Sequence, residues 1–306
     1  MKQTYYSNGK LLITGEYLVL DGANALALPT KFGQSLELEE HEGSKIIWKS
    51  LDEKEAIWFE EIFSIDEIAS PSKKRARKDT KFTKRIIQIL REAKKLNPDF
   101  LNKNKGYKIT TKLDFPRDWG LGSSSTLINN IATWAKVDPF KLLEKSFGGS
   151  GYDIAAAQNN SPILYSNAGN SINVHPQQLD WNFTDQLFFV HLNRKQNSSD
   201  GIANYQKQKT HKALPFTEIN LITSKICVCN TLSEFEKLIT THEEHISKVI
   251  QQKPIKEKLF SDYKGSIKSL GAWGGDFVLV TGNDGDMDYF RKKGFETILS
   301  FREMIL

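Results

Sequence analysis

Four short stretches of this chain carry residues whose types and spacing suit the handling of phosphate. The first, Gly120-Leu121-Gly122-Ser123-Ser124-Ser125, sets two glycines before a run of serines and an apolar helical stretch that continues through Trp134. Glycine lets the backbone approach an anion closely, and a helix starting at the serines would aim its free N–H groups at it. The hydroxyls add hydrogen bonds or a ligand for Mg²⁺. The spacing is neither G-x-x-x-x-G-K-[ST] nor G-x-G-x-x-G, which excludes a Walker loop and a dinucleotide fingerprint. Alone, the stretch reads equally well as a serine-capped helix after a tight turn.

The other three stretches supply what phosphate chemistry lacks in the first. Asn8-Gly9-Lys10-Leu-Leu-Ile-Thr-Gly15-Glu16-Tyr17 places a lysine and a glutamate around one short strand. Gly149-Ser150-Gly151-Tyr152-Asp153 places a carboxylate just past a glycine loop. Lys268-Ser-Leu-Gly271-Ala272-Trp273-Gly-Gly-Asp276 is a glycine-rich turn running into a strand. Phosphoryl transfer calls for backbone donors around phosphates, a cation beside the transferred group and a carboxylate near the acceptor hydroxyl. Each residue also has a plainer reading: Asp153 as a helix cap, Lys10 as a solvated charge, Asp276 as turn chemistry.

The elements that would carry these residues follow from periodicity. Strand formers fill residues 11–20 around Gly15-Glu16, and Asp21-Gly22 supplies a turn; Ser35–Glu39, Lys45–Lys49 and Ala56–Phe59 continue as a meandering sheet. Phe82, Ile86, Ile87, Leu90 and Ala93 keep helical spacing. A strand at Tyr107–Leu113 precedes the serine loop, and strands at Ile163–Tyr165, Ile172–Val174 and Gln186–Leu192 follow it. Helices are expected at Ser199–Lys209, Phe216–Thr223 and Leu232–Ile250, and a strand at Phe277–Thr281. A composition change near Asp180–Asp185 sets the expected domain boundary, giving residues 1–182 and 183–306.

The whole composition narrows the function classes. The chain has 306 residues, enough for a large core, and a net charge of +5 that suits anionic small molecules without demanding nucleic acid. The basic segment Ser70–Lys78 reads as a solvated loop leading into a cationic helix, without the aromatic–basic interleaving that stacks bases. Cys227 and Cys229 are the only cysteines, and their spacing is not that of a metal or redox pair. They are expected as incidental thiols in a buried strand. His242-Glu-Glu-His245 is one residue short of H-E-x-x-H and reads as a helix surface. No signal segment or run of about 18 apolar residues is present, so a cytoplasmic protein that neither spans a membrane nor binds nucleic acid is expected.

In this order, the four stretches resemble the GHMP kinase superfamily, which includes galactokinase, homoserine kinase, mevalonate kinase and phosphomevalonate kinase. Its most specific element, P-x-x-x-G-L-G-S-S, is matched by Pro116 through Ser124. Gly15-Glu16-Tyr17, Gly149-Ser-Gly-Tyr-Asp-Ile-Ala-Ala-Ala157 with Tyr165 downstream, and Gly274-Gly275-Asp276 look most like the phosphomevalonate kinase branch. Gly-Tyr-Asp-Ile-Ala also looks like a bacterial branch carrying that signature. The resemblance implies a two-domain α/β (α+β) fold, with a left-handed βαβ crossover in the N-terminal domain and a ferredoxin-like αβ plait in the C-terminal one. It implies ATP and Mg²⁺ as cofactors, a small anionic acceptor, and a monomer or homodimer.

Roles carry over residue by residue. Asp153 would act as general base or orienting group, and Lys10 would stabilise charge near the acceptor with Glu16 in support. Pro116, Gly120, Leu121, Gly122, Ser123, Ser124 and Ser125 would form the ATP cradle. Glu16, Tyr17, Ser150, Gly151, Lys195, Ser198, Gly271, Ala272 and Trp273 would line the substrate site. Ser124, with Glu144 as the nearest candidate carboxylate, would hold Mg²⁺. There are departures: Trp273 stands where the family turn has glycine, narrowing the phosphate pocket or offering a stacking face. Asn193-Arg194-Lys195-Gln-Asn-Ser198-Ser199 carries arginine where T-G-x-x-x-S-T has glycine. The rival readings are mevalonate kinase, a decarboxylase of the same superfamily, and a non-catalytic nucleotide-binding relative.

Overall fold

The computed structural model describes residues 2–69, 80–102, 105–168, 171–196, 198–209 and 213–306. The basic segment Ser70–Lys78, and Asn197 within the Asn193–Ser199 stretch, lie outside the described residues. The chain packs as two compact units, neither of them a continuous segment. The first comprises the residues up to Gly9, Phe32–Arg117 and Gly122–Gln158, and the second Lys10–Lys31, Asp118–Leu121 and Asn159–Leu306.

In the first unit the elements are β1 (Lys2–Leu12, which ends in the second unit), β2 (Ala25–Glu42, which enters at Phe32), β3 (Lys45–Leu51), β4 (Ile57–Ser64), α1 (Ile65–Ala69), α2 (Lys81–Leu96), β5 (Lys105–Leu113), α3 (Ser123–Ala135), α4 (Pro139–Ser146) and α5 (Tyr152–Ala157). β3 and β4 form the expected hairpin, but β5 inserts beside β3, giving the order β4-β3-β5-β2. It pairs parallel with β3 and antiparallel with β2. The meander is therefore interrupted, because α1 and α2 provide a crossover long enough for a parallel return. Alternation sets the buried face. Leu38 and Trp48 are both opposite Ile109, and all three are buried with Ile86, Ile89 and Leu90 of α2 and Leu127, Ile128 and Ile131 of α3.

The second unit begins with the end of β1 and the turn after it, and continues through β6 (Ile163–Ala168), β7 (Ser171–Pro176), β8 (Leu187–His191), α6 (Ser198–Gln208), α7 (Phe216–Val228), α8 (Leu232–Ile250), α9 (Ile255–Leu259), β9 (Ile267–Ser269), β10 (Phe277–Thr281), α10 (Asp288–Lys292), β11 (Ile298–Ser300) and α11 (Phe301–Met304). The start of β2 pairs with β6, and β6 with β7. A separate antiparallel sheet runs β11-β8-β10-β9. Strand, helices, hairpin, helix, strand in that spatial order is the split-βαβ plait that the resemblance implied. β8 and β10 are buried at every position, which is why both read as unbroken apolar runs.

Two readings of this unit are corrected. Cys227 and Cys229 are buried free thiols, but they sit at the end of α7 rather than in a strand, because Ile219, Ile222 and Ile226 already establish a helical buried face. Burial pushes both thiols up to about 11. In α8, His242 and Glu243 are buried instead of lying on the helix surface.

Candidate active site

In the first unit, α3 starts from Gly122, whose φ of 90° lies in the left-handed region that favours glycine. No side chain caps this helix. The serines are therefore its first turn and not its cap: Ser124 is exposed, Ser123 half-buried and Ser125 buried. α5 starts in the same way, from Gly151 at φ 90°, with Ser150 buried just before it. Asp153 is in the first turn of α5 without capping it. Its Oδ2 accepts a short hydrogen bond from Ser125 Oγ, and its Oδ1 accepts the Ile154 N–H at 3.2 Å. The two glycine loops recognised in the sequence thus meet at one serine–carboxylate pair.

A buried polar network fixes the helices that carry this pair. Asn129 Nδ2 donates to Ser7 Oγ at 2.9 Å, and Ser7 Oγ donates to Asn130 Oδ1 at 2.8 Å. Asn130 Nδ2 donates to the Gln34 carbonyl at 2.8 Å, and Thr126 Oγ1 to Gln34 Oε1 at 2.7 Å. Gln158, at the end of α5, donates to Asn129 Oδ1 at 2.9 Å. α3 is thereby tied to β1, β2 and α5. Buried networks satisfied in this way hold one geometry rigidly. Glu144 is exposed on α4, outside the Ser125–Asp153 pair.

The second unit holds Lys10, Gly120 and Asp276 together. The Lys10 amide donates to the Leu121 carbonyl at 3.0 Å, and its Nζ to the Gly120 carbonyl at 3.3 Å. Gly120 has φ 68°, and a Cβ built on it would fall 2.3 Å from Cγ of Asp276, so any side chain there collides with the carboxylate. Asp276 itself adopts φ 56°, an unusual conformation for a residue with a Cβ. Its N–H donates to the Arg194 carbonyl at 2.8 Å, and its Oδ1 accepts the Gln196 N–H at 3.4 Å. Burial pushes its carboxyl above the ordinary range, against the pull of Lys10, Lys195 and His191. Asp276 is thus part of the Lys10 surroundings as well as of a turn. Pro116, in the first unit, is half-buried. Arg194 and Lys195 are exposed just past β8, and Ser198, also exposed, opens α6.

Glu16, beyond the strand of Lys10, is engaged by Lys268. β1 ends at Leu12, and the chain then turns through Gly15–Tyr17, with Tyr17 at φ 64°. The Glu16 carboxylate is fully buried, where Lys268 Nζ donates a short hydrogen bond to Oε1. Tyr17 is buried too, and its hydroxyl donates to the Ala272 carbonyl at 2.8 Å. Gly271 is half-buried at φ 56°. Trp273 is 2% exposed and packs with Tyr17, Leu18, Tyr205 and Ile219. Its indole is a core side chain, not an open stacking face.

Sequence reasoning missed the buried cluster that joins Glu16 and Lys268 to His242 and Glu243. The signal available was H-E-E-H, set aside because its spacing does not suit a metal.

No protein-family model matches the chain, and no curated protein matches it. Solved structures do. Methanococcus jannaschii mevalonate kinase aligns over 98% of this chain and 97% of its own, at TM-score 0.71 and 15% identity. Streptococcus pneumoniae phosphomevalonate kinase, in complex with phosphomevalonate and AMPPNP, aligns over 97% and 99% at TM-score 0.69 and 13% identity. Lactococcus lactis galactokinase, complexed with galactose, aligns over 98% and 92% at TM-score 0.70 and 13% identity. The chain has the GHMP kinase fold over essentially its full length.

Proposed function

We propose that this protein is an ATP-dependent small-molecule kinase, transferring the γ-phosphate to the hydroxyl of an anionic acceptor, with phosphomevalonate the preferred candidate. The observation that carries the reading is the junction of the two glycine loops at Ser125 and Asp153. It sets a carboxylate against the first turn of an uncapped helix, the arrangement that phosphate binding and hydroxyl activation jointly require. The likeness in fold to kinases of mevalonate, phosphomevalonate and galactose supports the same class.

On this reading Gly120 to Ser125 cradle the ATP phosphates, and Lys10 stabilises charge beside the transferred group. Asp153 accepts or orients the proton of the acceptor hydroxyl as its oxygen bonds to the γ-phosphorus and ADP leaves. Among the described residues no group of three or more His, Cys, Asp or Glu is arranged to hold a metal. That fits Mg²⁺ arriving with ATP, since it keeps waters and phosphate oxygens as ligands and takes only one or two protein groups. Ser124, in the first turn of α3, suits that role better than Glu144 on α4. Lys195, with Arg194 next, would bind the acceptor phosphate through charge-assisted hydrogen bonds.

An ADP-release screen over mevalonate, its 5-phosphate, homoserine and sugars tests the assignment. Turnover with the 5-phosphate above all others is expected, and Lys195→Ala should raise its KM far more than the KM for ATP. Equal turnover of mevalonate, or a silent Lys195→Ala, moves the assignment to mevalonate kinase. No turnover with any acceptor would remove the kinase reading.

A further inference from the structure

The H-E-E-H stretch of α8 forms part of a buried charge cluster within the second unit. His242, Glu16 and Lys268 are each 0% exposed, and Glu243 is 3%. Lys268 Nζ bonds Glu16 Oε1 and lies 3.0 Å from Glu243 Oε1. Glu243 Oε2 accepts from Ser269 Oγ at 2.7 Å, and His242 Nε2 accepts the Gly15 N–H at 3.0 Å. Because Nε2 is the acceptor, the ring is neutral with its proton on Nδ1. The 3.4 Å approach of Glu16 Oε2 to Nε2 is therefore not an ion pair. Burial holds the imidazole well below its ordinary value, consistent with that tautomer.

Stability alone does not account for this arrangement. Each buried charge costs several kcal/mol to desolvate, and apolar replacements of equal volume are often as stable or more so. The cluster is also incompletely satisfied: among the described residues, Glu16 Oε2 and His242 Nδ1 have no hydrogen-bond partner. What its bonds share is direction. From α8, His242 reaches the turn that follows the strand of Lys10, and Glu243 reaches the start of the Lys268–Asp276 loop. Lys268 and Tyr17 then join turn and loop to each other, through Glu16 and the Ala272 carbonyl.

We propose that His242 and Glu243 are positioning residues, which use Glu16 and Lys268 to lock the Gly15–Tyr17 turn and the Lys268–Asp276 loop into the geometry that phosphoryl transfer needs. This rests on the kinase reading, but the lock itself can be measured without turnover. His242→Leu removes the acceptor for the Gly15 amide, whereas His242→Gln keeps a polar acceptor near the position of Nε2. Hydrogen exchange should accelerate at least tenfold at Gly15 and across residues 268–276 in His242→Leu, with strands β3 and β5 unchanged. The kcat should fall about tenfold or more with KM for ATP within about twofold, and His242→Gln should recover most of it. Should His242→Leu not fold, Glu243→Gln, which preserves shape, is expected to loosen the same loop.

A uniform rise in exchange across the molecule, or a kcat within twofold of wild type in His242→Leu, overturns the proposal and leaves the cluster purely structural. Equal losses in His242→Leu and His242→Gln do the same. If wild type transfers phosphate to no acceptor, the kinase reading fails, while the exchange pattern still decides whether the lock exists.

Discussion

At the scale of single residues, the hydrogen bond between Ser125 and Asp153 makes two substitutions informative together. Asp153→Asn keeps size but removes the basic charge, and kcat should fall by roughly 10²–10⁴-fold with ATP affinity little changed. Ser125→Ala leaves the carboxylate and removes only its tether, so a smaller loss, about tenfold, is expected in the same steady-state assay. The opposite ranking would make Ser125 the reacting group's nearer partner. Two buried residues also give opposed pH signatures. Burial drives the Glu16 carboxyl from 4.5 up to about 7, with Lys268 pulling it back. The folded state therefore binds more protons than the unfolded one across that window, and stability falls as pH rises through it. His242, held well below 6.5, binds fewer protons when folded, so stability falls as pH drops below 6.5. Relative to wild type, Glu16→Gln should gain stability as pH rises from about 5 to about 7, and His242→Gln as pH falls below about 6.5. Neither slope should exceed about 1.4 kcal/mol per pH unit. Urea unfolding at several pH values measures both, and slopes of the reverse sign would contradict the burial-driven shifts of Glu16 and His242.

At the scale of elements, local pattern and long-range pairing separate cleanly. α8 and β10 occupy Leu232–Ile250 and Phe277–Thr281, the bounds that apolar periodicity sets, because both are decided by their own residues. The glycine loops were legible too, since a left-handed helix start such as that at Gly122 demands a particular residue. The end of α7 was not: Ile-Cys-Val-Cys is rich in strand formers, and only the spacing of Ile219, Ile222 and Ile226 reveals the helix. The burial of His242 and Glu243 was not legible either. A polar pair on a helix reads as solvated until its surroundings are known, and Lys268 and Glu16 are both distant in sequence. The meander failed for a related reason, since β5 displaces β2 from β3 through a parallel pairing that no local pattern encodes. That central position makes β5 sensitive to truncation. Ile109, 0% exposed, faces Leu38 on one side and Trp48 on the other. Ile109→Ala should cost about 2–5 kcal/mol in chemical denaturation, as large-to-small changes in packed cores do. A loss below 1 kcal/mol, well under the usual cost of such a truncation, would place the core elsewhere.

For the whole molecule, the consequential feature is how the chain is shared between its compact units. A boundary at 182/183 divides the sequence in chain order, but the second unit also takes Lys10–Lys31, Asp118–Leu121 and Asn159 onward. Its plait sheet lies wholly after residue 183, so a fragment of residues 183–306 would keep β8 to β11 and their helices. It would lose Glu16, however, and with it the hydrogen bond to the ammonium of Lys268. It would also lose Gly15, the donor to His242, and Thr14, whose hydroxyl accepts from Thr223 at 2.9 Å. Removing one partner of a buried ion pair is strongly destabilising, about 3–5 kcal/mol, because an uncompensated charge stays behind. That is a large part of the 5–15 kcal/mol or so by which a domain is stable. The fragment should therefore fail to fold cooperatively at neutral pH. Among the described residues, Lys268 would keep only Glu243 as an ionic partner. A fragment carrying Lys268→Met together with Glu243→Gln, which removes both remaining charges of the cluster, should regain part of the lost structure. In the intact chain the same two substitutions should instead be destabilising, because there they strand the carboxylate of Glu16. Circular dichroism melts of the fragment and the full chain, each with and without the two substitutions, give the comparison. A fragment of residues 183–306 that melts cooperatively with Lys268 in place would mean that the buried cluster contributes little, and that the plait is a self-sufficient domain.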